Sequence, residues 1–179
     1  KQQTGLLFMI LSDLEIRQMM KAGKIKISPL EDSQIGGASV DLTLSNKWEF
    51  FKKELIGKTV DLSKTPFQKS FKTQYSKQIT LEPGEMCLAT TIEKITLSED
   101  IMGKLEGRSR FARMGLVIHI TSALIQPGSS NHQVLEIVNL APFPVKLHAG
   151  MRISQVVFET MGKKTSKPYA KFGQIARKQ

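Results

Sequence analysis

Gly107-Arg108-Ser109-Arg110-Phe111-Ala112-Arg113-Met114-Gly115-Leu116-Val117-Ile118-His119-Ile120-Thr121 opens the stretch that decides how this chain folds, and Gln126-Pro127-Gly128-Ser129-Ser130-Asn131-His132-Gln133-Val134-Leu135-Glu136-Ile137-Val138 closes it. Ser109 is an N-cap residue type, the five residues after it read as a short helix, and Gly115 sits where a C-cap is expected. A helix start offers free backbone N–H groups, and Arg108, Arg110 and Arg113 add guanidinium forks suited to phosphate oxygens. The competing reading is a capped surface helix with solvated arginines. Residues 116–121 alternate like a strand, residues 126–131 are a turn cluster, and residues 134–138 are a second apolar strand.

Glu136 interrupts that second strand. Strict alternation puts Val134, Glu136 and Val138 on one face and Leu135 and Ile137 on the other. A carboxylate there is either at the wet surface of the sheet or partly desolvated with a raised pKa, as a general acid/base requires.

The rest of the chain supplies the frame. Its 179 residues, 40% of them hydrophobic, are enough for one domain with a real core. Ser12 and Glu15 form a capping box for a helix with Leu14, Ile16, Met19 and Met20 on its apolar side, stopped by Gly23. Residues 38–44 and 86–97 read as strands, the latter interrupted at Thr90-Thr91, and two more strands follow at 145–148 and 151–159. Many short strands between Gly/Pro turns, with two short helices, predict a mainly β barrel or jelly roll. Residues 48–80 carry seven lysines with interleaved phenylalanines. That pattern can bind single-stranded nucleic acid, but solvated loops with core anchors are the commoner outcome, so nucleic acid is not the expected partner. No apolar run is long enough to span a membrane and no signal peptide is recognisable; with the single Cys87, this gives a cytoplasmic expectation. Residues 1–8 are expected to be a leader or remnant outside the fold, residues 9–162 the β domain, and residues 163–179 a basic tail.

Gly107-Arg108-Ser109-x-x-Ala112-Arg113-x-Gly115-Leu116, His119-x-Thr121, Ile125-x-Pro127-Gly128, Val134-Leu135-Glu136-x-x-Asn139 and Gly150-Met151-x-Ile153-x-Gln155-x-x-Phe158 occur in this order. Ala38-Ser39-Val40-Asp41-Leu42-x-Leu44 precedes them, and Lys167-Pro168-Tyr169-x-Lys171-Phe172-x-Gln174 follows. Together they resemble the dCTP deaminase family of the dUTPase-like superfamily. The resemblance implies a distorted dUTPase-like β barrel (β-clip), a homotrimer, and hydrolysis of dCTP to dUTP and ammonia. It also implies a C-terminal lid over the nucleotide, possession of which would give residues 163–179 a function, and dTTP as a feedback inhibitor.

By the same resemblance Glu136 is the general base and acid, with Ser109, Arg113 and a backbone group near Ser122 orienting the water and the base. The implied nucleotide contacts are Arg108, Ser109, Arg110, Phe111, Ala112, Arg113, Ser122, Gln126, Val134, Leu135, Glu136, Gln155, Tyr169, Lys171 and Gln174. Mg²⁺ would arrive with the triphosphate. The zinc route of other deaminases needs His/Cys/Cys ligands; one cysteine, three histidines, no His-x-Glu and no Cys-x-x-Cys rule out that site. Asp41 is expected to be structural, His119 a packed imidazole and His148 a surface residue.

Departures from the family pattern bear on the reaction. Arg110 replaces a serine, Gln126 an aspartate, and Ser129 and Asn131 stand near an expected aromatic and glycine. An amide at 126 can hydrogen-bond a sugar hydroxyl but cannot act as a base, which argues against a second, dUMP-forming hydrolysis. Three readings stay open at this point: a dCTP deaminase, a bifunctional deaminase and dUTP diphosphatase, and a non-catalytic nucleotide-binding trimer.

Overall fold

The computed structural model describes residues 9–119 and 121–172. Helix α1 (Asp13–Lys21) starts at the Ser12/Glu15 capping box, both halves of which form. Ile16 is buried, while Leu14 points to solvent, so the apolar side of the helix is narrower than its spacing suggests. Strands β1 (Ile25–Ser28), β2 (Val40–Phe51), β3 (Phe71–Tyr75), β4 (Gln78–Leu81), β5 (Met86–Leu97) and β6 (Ile101–Gly107) follow. Then come α2 (Ser109–Ala112), β7 (Leu116–Ile118), β8 (Leu124–Ile125), β9 (Ser130–Asn139), β10 (Val145–His148), β11 (Arg152–Thr160) and α3 (Tyr169–Phe172). Among the described residues there are therefore three short helices, not two. None is long and apolar enough to cross a membrane.

A nine-stranded antiparallel sheet runs β7-β9-β5-β2-β11-β6-β8, with β1 added on β5 and β3 on β2; β10 and β4 pair separately. The expected β architecture holds. Alternation fixes which side of each strand is buried: Val40, Leu42 and Leu44 of β2 meet Ile153, Val156 and Phe158 of β11, with Trp48 fully enclosed beside them. Trp48 keeps its indole N–H satisfied on Ser76 O at 3.0 Å. Residues 48–80, read as solvated loops with anchors, contribute the end of β2 and all of β3, because Phe50 and Phe51 extend the apolar pattern across the lysines.

The ladder shifts register at three places, and the shift beside the cavity lies in β5. Thr90 pairs with Val134 and Lys94 with His132, so residues 91–93 of β5 bulge against the single residue Gln133 of β9. Thr91, fully buried, donates its hydroxyl to Glu93 O at 2.9 Å and accepts Gln133 N–H at 3.0 Å. The break expected at Thr90-Thr91 is this bulge. Glu93, turned inward, accepts from Gln34 Nε2 at 2.7 Å and Thr43 N at 2.9 Å.

Candidate active site

β9 carries Glu136 as its alternation requires. Leu135 and Ile137 are fully buried, and Val134, Glu136 and Val138 take the other, half-covered face. Leu88 of β5 pairs with Glu136, and Glu49 of β2 pairs with Leu88, so this face continues across three strands. It forms the floor of a cavity of about 970 Å³, within the size range of small-molecule sites.

His119 stands against Glu136. β7 ends at Ile118, and His119 turns out of it with φ +62°, a left-handed conformation unusual for a non-glycine residue. Its backbone N–H donates to Glu136 O at 2.8 Å, its Nε2 lies 2.7 Å from Ser122 O, and its Nδ1 lies 3.0 Å from Glu136 Oε2. The last contact has ion-pair distance, and both atoms are buried. Burial pulls the His119 pKa down, but the adjacent carboxylate outweighs it and the net shift is upward. Burial likewise pushes Glu136 up, and His119 more than offsets it, so the Glu136 pKa falls below its ordinary value. Of the two readings of this carboxylate, wet surface or desolvated with a raised pKa, neither holds whole: Glu136 is partly desolvated, and the facing His119 ring holds its pKa below the ordinary value. His119 is the packed imidazole expected, its side chain 4% exposed; what sequence reasoning missed is that it faces Glu136. The signal that it exists lay in the His119-x-Thr121 spacing; its partner lies on another strand.

Ser122, Gln126, Val134 and Tyr169 line the same cavity as Glu136 and His119. Tyr169 is brought there because its N–H donates to Pro127 O at 3.0 Å and Pro168 packs on Gly128. Gly128 has φ +75°, and a Cβ there would meet Pro168 Cβ at 2.7 Å, so the turn admits only glycine. The described part of the C-terminal segment thus lies against the turn between β8 and β9. Leu135 belongs to the core side of β9, and Lys171 is exposed on α3. Gln174 lies outside the described residues.

The arginine-rich segment is elsewhere. α2 is a single turn with Arg108, not Ser109, at its N-cap, and Ser109 inside it. The expected serine cap is absent because the chain already turns helical at Ser109. Ser109, Arg110, Ala112 and Arg113 are exposed, Phe111 is half-buried, and none of these five lines the cavity. Arg108 is held by Asp41 at 3.1 Å and by Arg152 O at 2.9 Å. Burial raises the Asp41 pKa, against the pull of Arg108 and Arg152. Asp41 is structural, as expected. Gln155 bridges Ser39 Oγ at 2.9 Å and Gly107 O at 3.3 Å, away from the cavity.

The profile of the dCTP deaminase-like family, DCD, matches residues 10–161. The chain belongs to this family. It is 38% identical over 164 residues to the dUMP-forming dCTP deaminase of Methanosphaera stadtmanae, covering 89% of this chain and 83% of that protein. It is 40% identical over 172 residues to the dCTP deaminase of Pseudoalteromonas atlantica, covering 90% and 86%. Among solved structures, 2'-deoxycytidine 5'-triphosphate deaminase from Agrobacterium tumefaciens superposes with a TM-score of 0.67 at 23% identity. The match covers 86% of this chain and 48% of that one.

Proposed function

We propose that this protein is a metal-free hydrolytic dCTP deaminase, converting dCTP and water to dUTP and ammonia. The observation that carries the reading is Glu136, a carboxylate 3.0 Å from the His119 ring in the wall of a nucleotide-sized cavity, in a chain of the dCTP deaminase-like family. Glu136 takes a proton from water as its oxygen bonds to C4 of cytosine and passes it to N3, then takes the proton of the new C4 hydroxyl and gives it to the amine as the C4–N4 bond breaks, leaving the C4 carbonyl of dUTP and ammonia. Ser122 O, at hydrogen-bond distance from His119, would help fix the water or the amine, following the family resemblance.

Ser109 and Arg113 are the further catalytic residues of this reading, and they stand outside the Glu136 cavity of their own subunit. A homotrimer reconciles the two observations: α2 of one subunit would meet the cavity of the next, bringing Arg108, Arg110 and Arg113 towards the phosphates. Among the described residues no three or more His, Cys, Asp or Glu side chains converge as a metal site. Mg²⁺ would neutralise triphosphate charge. The segment beyond residue 162 would close over the nucleotide through Tyr169, Lys171 and Gln174. A cytoplasmic location and feedback inhibition by dTTP complete the reading, following the family resemblance.

Relatives named as dUMP-forming give the second reading, in which dUTP is further hydrolysed. Gln126 in the cavity wall opposes it, because an amide cannot take a proton from an attacking water. The test is incubation with dCTP and Mg²⁺, followed by chromatography. Wild type is expected to give dUTP and ammonia, and Glu136→Gln to lose roughly 10²–10⁴-fold in kcat while retaining nucleotide binding. Appearance of dUMP and pyrophosphate assigns the second reading. Binding without any turnover would move the protein to a non-catalytic trimer.

A further inference from the structure

Residues 52–80 carry seven lysines against two acids, Glu54 and Asp61. Part of this stretch walls a second cavity, of about 760 Å³. Phe50, Ile79 and Met86 form its covered wall, and Lys52, Lys53 and Lys72 line it nearer to solvent. Strand pairing sets this up. β2 meets β3 with Phe50 opposite Lys72 and Phe51 opposite Phe71, and alternation then sends Phe71 and Thr73 to the Glu136 cavity, Lys72 and Gln74 to this one. The two cavities have no lining residue in common. Among the described residues, none of the three lysine ammonium groups has an ion-pair or hydrogen-bond partner. Glu85 is turned to its own loop, where it accepts Glu82 N–H at 2.9 Å, which leaves Glu54 as the acid at the rim. Phe51 is 51% exposed although it stacks on Phe71 at 4.5 Å, and Ile56 beside the lysines is 78% exposed.

Three lysines that no acid of the chain pairs, gathered on one opening, favour a ligand with several negative charges. A lysine is a mobile point cation, better matched to a phosphate chain than to one planar carboxylate. Beside them a phenylalanine ring and an isoleucine keep much of their surface in water, which favours a ligand that also carries a flat ring. The cavity has the volume of a small-molecule site and suits one nucleotide, whereas a nucleic-acid strand needs a track that continues beyond a single cavity. We propose that this cavity is a second nucleotide site, separate from the Glu136 cavity, in which Lys52, Lys53 and Lys72 hold the phosphates of a nucleoside triphosphate and Phe51 stacks on its base.

Equilibrium binding of ATP to the full chain tests this, with inorganic triphosphate and an oligothymidylate strand as comparison probes. ATP binding is expected to weaken by roughly a hundredfold in Lys52→Ala/Lys72→Ala, the loss of two charge-assisted contacts. Phe51→Leu is expected to weaken it by roughly tenfold, the loss of one stacking contact. Both lysines lie outside the core, so the double variant is expected to keep the wild-type Tm; Lys72→Ala alone takes its place should the Tm fall. ATP bound equally by wild type and the lysine variant sits elsewhere and overturns the proposal, as does ATP that fails to bind wild type. Inorganic triphosphate that binds as tightly as ATP, with no loss in Phe51→Leu, makes this a phosphate site and overturns the assignment of a nucleotide. A strand that binds more tightly than ATP and is weakened by Lys58→Ala/Lys69→Ala, outside the cavity, makes the patch a nucleic-acid surface and overturns it too. None of these readouts passes through deamination, so failure of the deaminase reading leaves them unchanged.

Discussion

Glu136 and His119 face each other at 3.0 Å with shifts in opposite directions, which fixes the pH window in which the pair stabilises the fold. The lowered Glu136 contributes stability above its ordinary value of 4.5 and loses it as pH falls through its folded-state value. The raised His119 contributes fully below 6.5 and loses its contribution as pH rises through its folded-state value. Thermal stability is therefore expected to be highest between about 4.5 and 6.5, with both flanks flattened in His119→Asn. Asparagine tolerates the left-handed conformation at this position, so the variant isolates the ring. A melting profile against pH that matches wild type would show that the two side chains do not interact. Ser129→Ala carries its own prediction at this scale: removing a buried unpartnered hydroxyl is expected to raise stability by about 1 kcal/mol, read as an increased Tm. Glu136 was legible as an acid on an apolar strand. The direction of its pKa was not, because its cation arrives from a different strand.

The bulge of β5 shows how an element is shaped by one hydroxyl. Thr91 satisfies Gln133 N–H and Glu93 O together, where residues 91–93 leave the regular ladder. Thr91→Val keeps the volume and strands that N–H, with an expected cost of about 1–3 kcal/mol in denaturant unfolding. The interruption at Thr90-Thr91 was visible in sequence as two hydroxyls in an apolar run; that it bends the sheet around the cavity depends on which β9 residue lies opposite. The turn between β8 and β9 is a second case. Gly128→Ala is expected to push Pro168 and Tyr169 off the cavity wall and cost about 1–2 kcal/mol for the left-handed backbone alone. Faster proteolysis beyond residue 160, with weakened nucleotide binding, would be the readout. α2 was read as a short helix over 110–114 closed at Gly115; it is a single turn, Ser109–Ala112, with Arg108 as N-cap and Arg113 as C-cap, and Gly115 follows with φ +80°.

For the whole molecule, the separation of Glu136 from Ser109 and Arg113 leads to a mixing experiment. Glu136→Gln and Arg113→Ala subunits, each inactive alone, are expected to regain part of the deaminase activity when unfolded together and refolded, because some interfaces then pair an intact α2 with an intact cavity. Activity that stays absent in mixtures of confirmed trimers would place both residues in one subunit's site. The formal charge of +10 favours a polyanionic ligand at any of these sites without choosing among them. Periodicity, turn residues and the order of the motifs determined by themselves that the chain is mainly β, where most strands lie, and that Glu136 shares a face with Val134 and Val138. Those features are local: each depends on residues within a few positions of one another. Only the tertiary structure decided that His119 faces Glu136, that Arg108 is taken up by Asp41, that Pro168 seats on Gly128 and that α2 lies off the cavity. Each of these is a contact between distant parts of the chain, set by strand register and by the bend at Thr91, which no local pattern encodes.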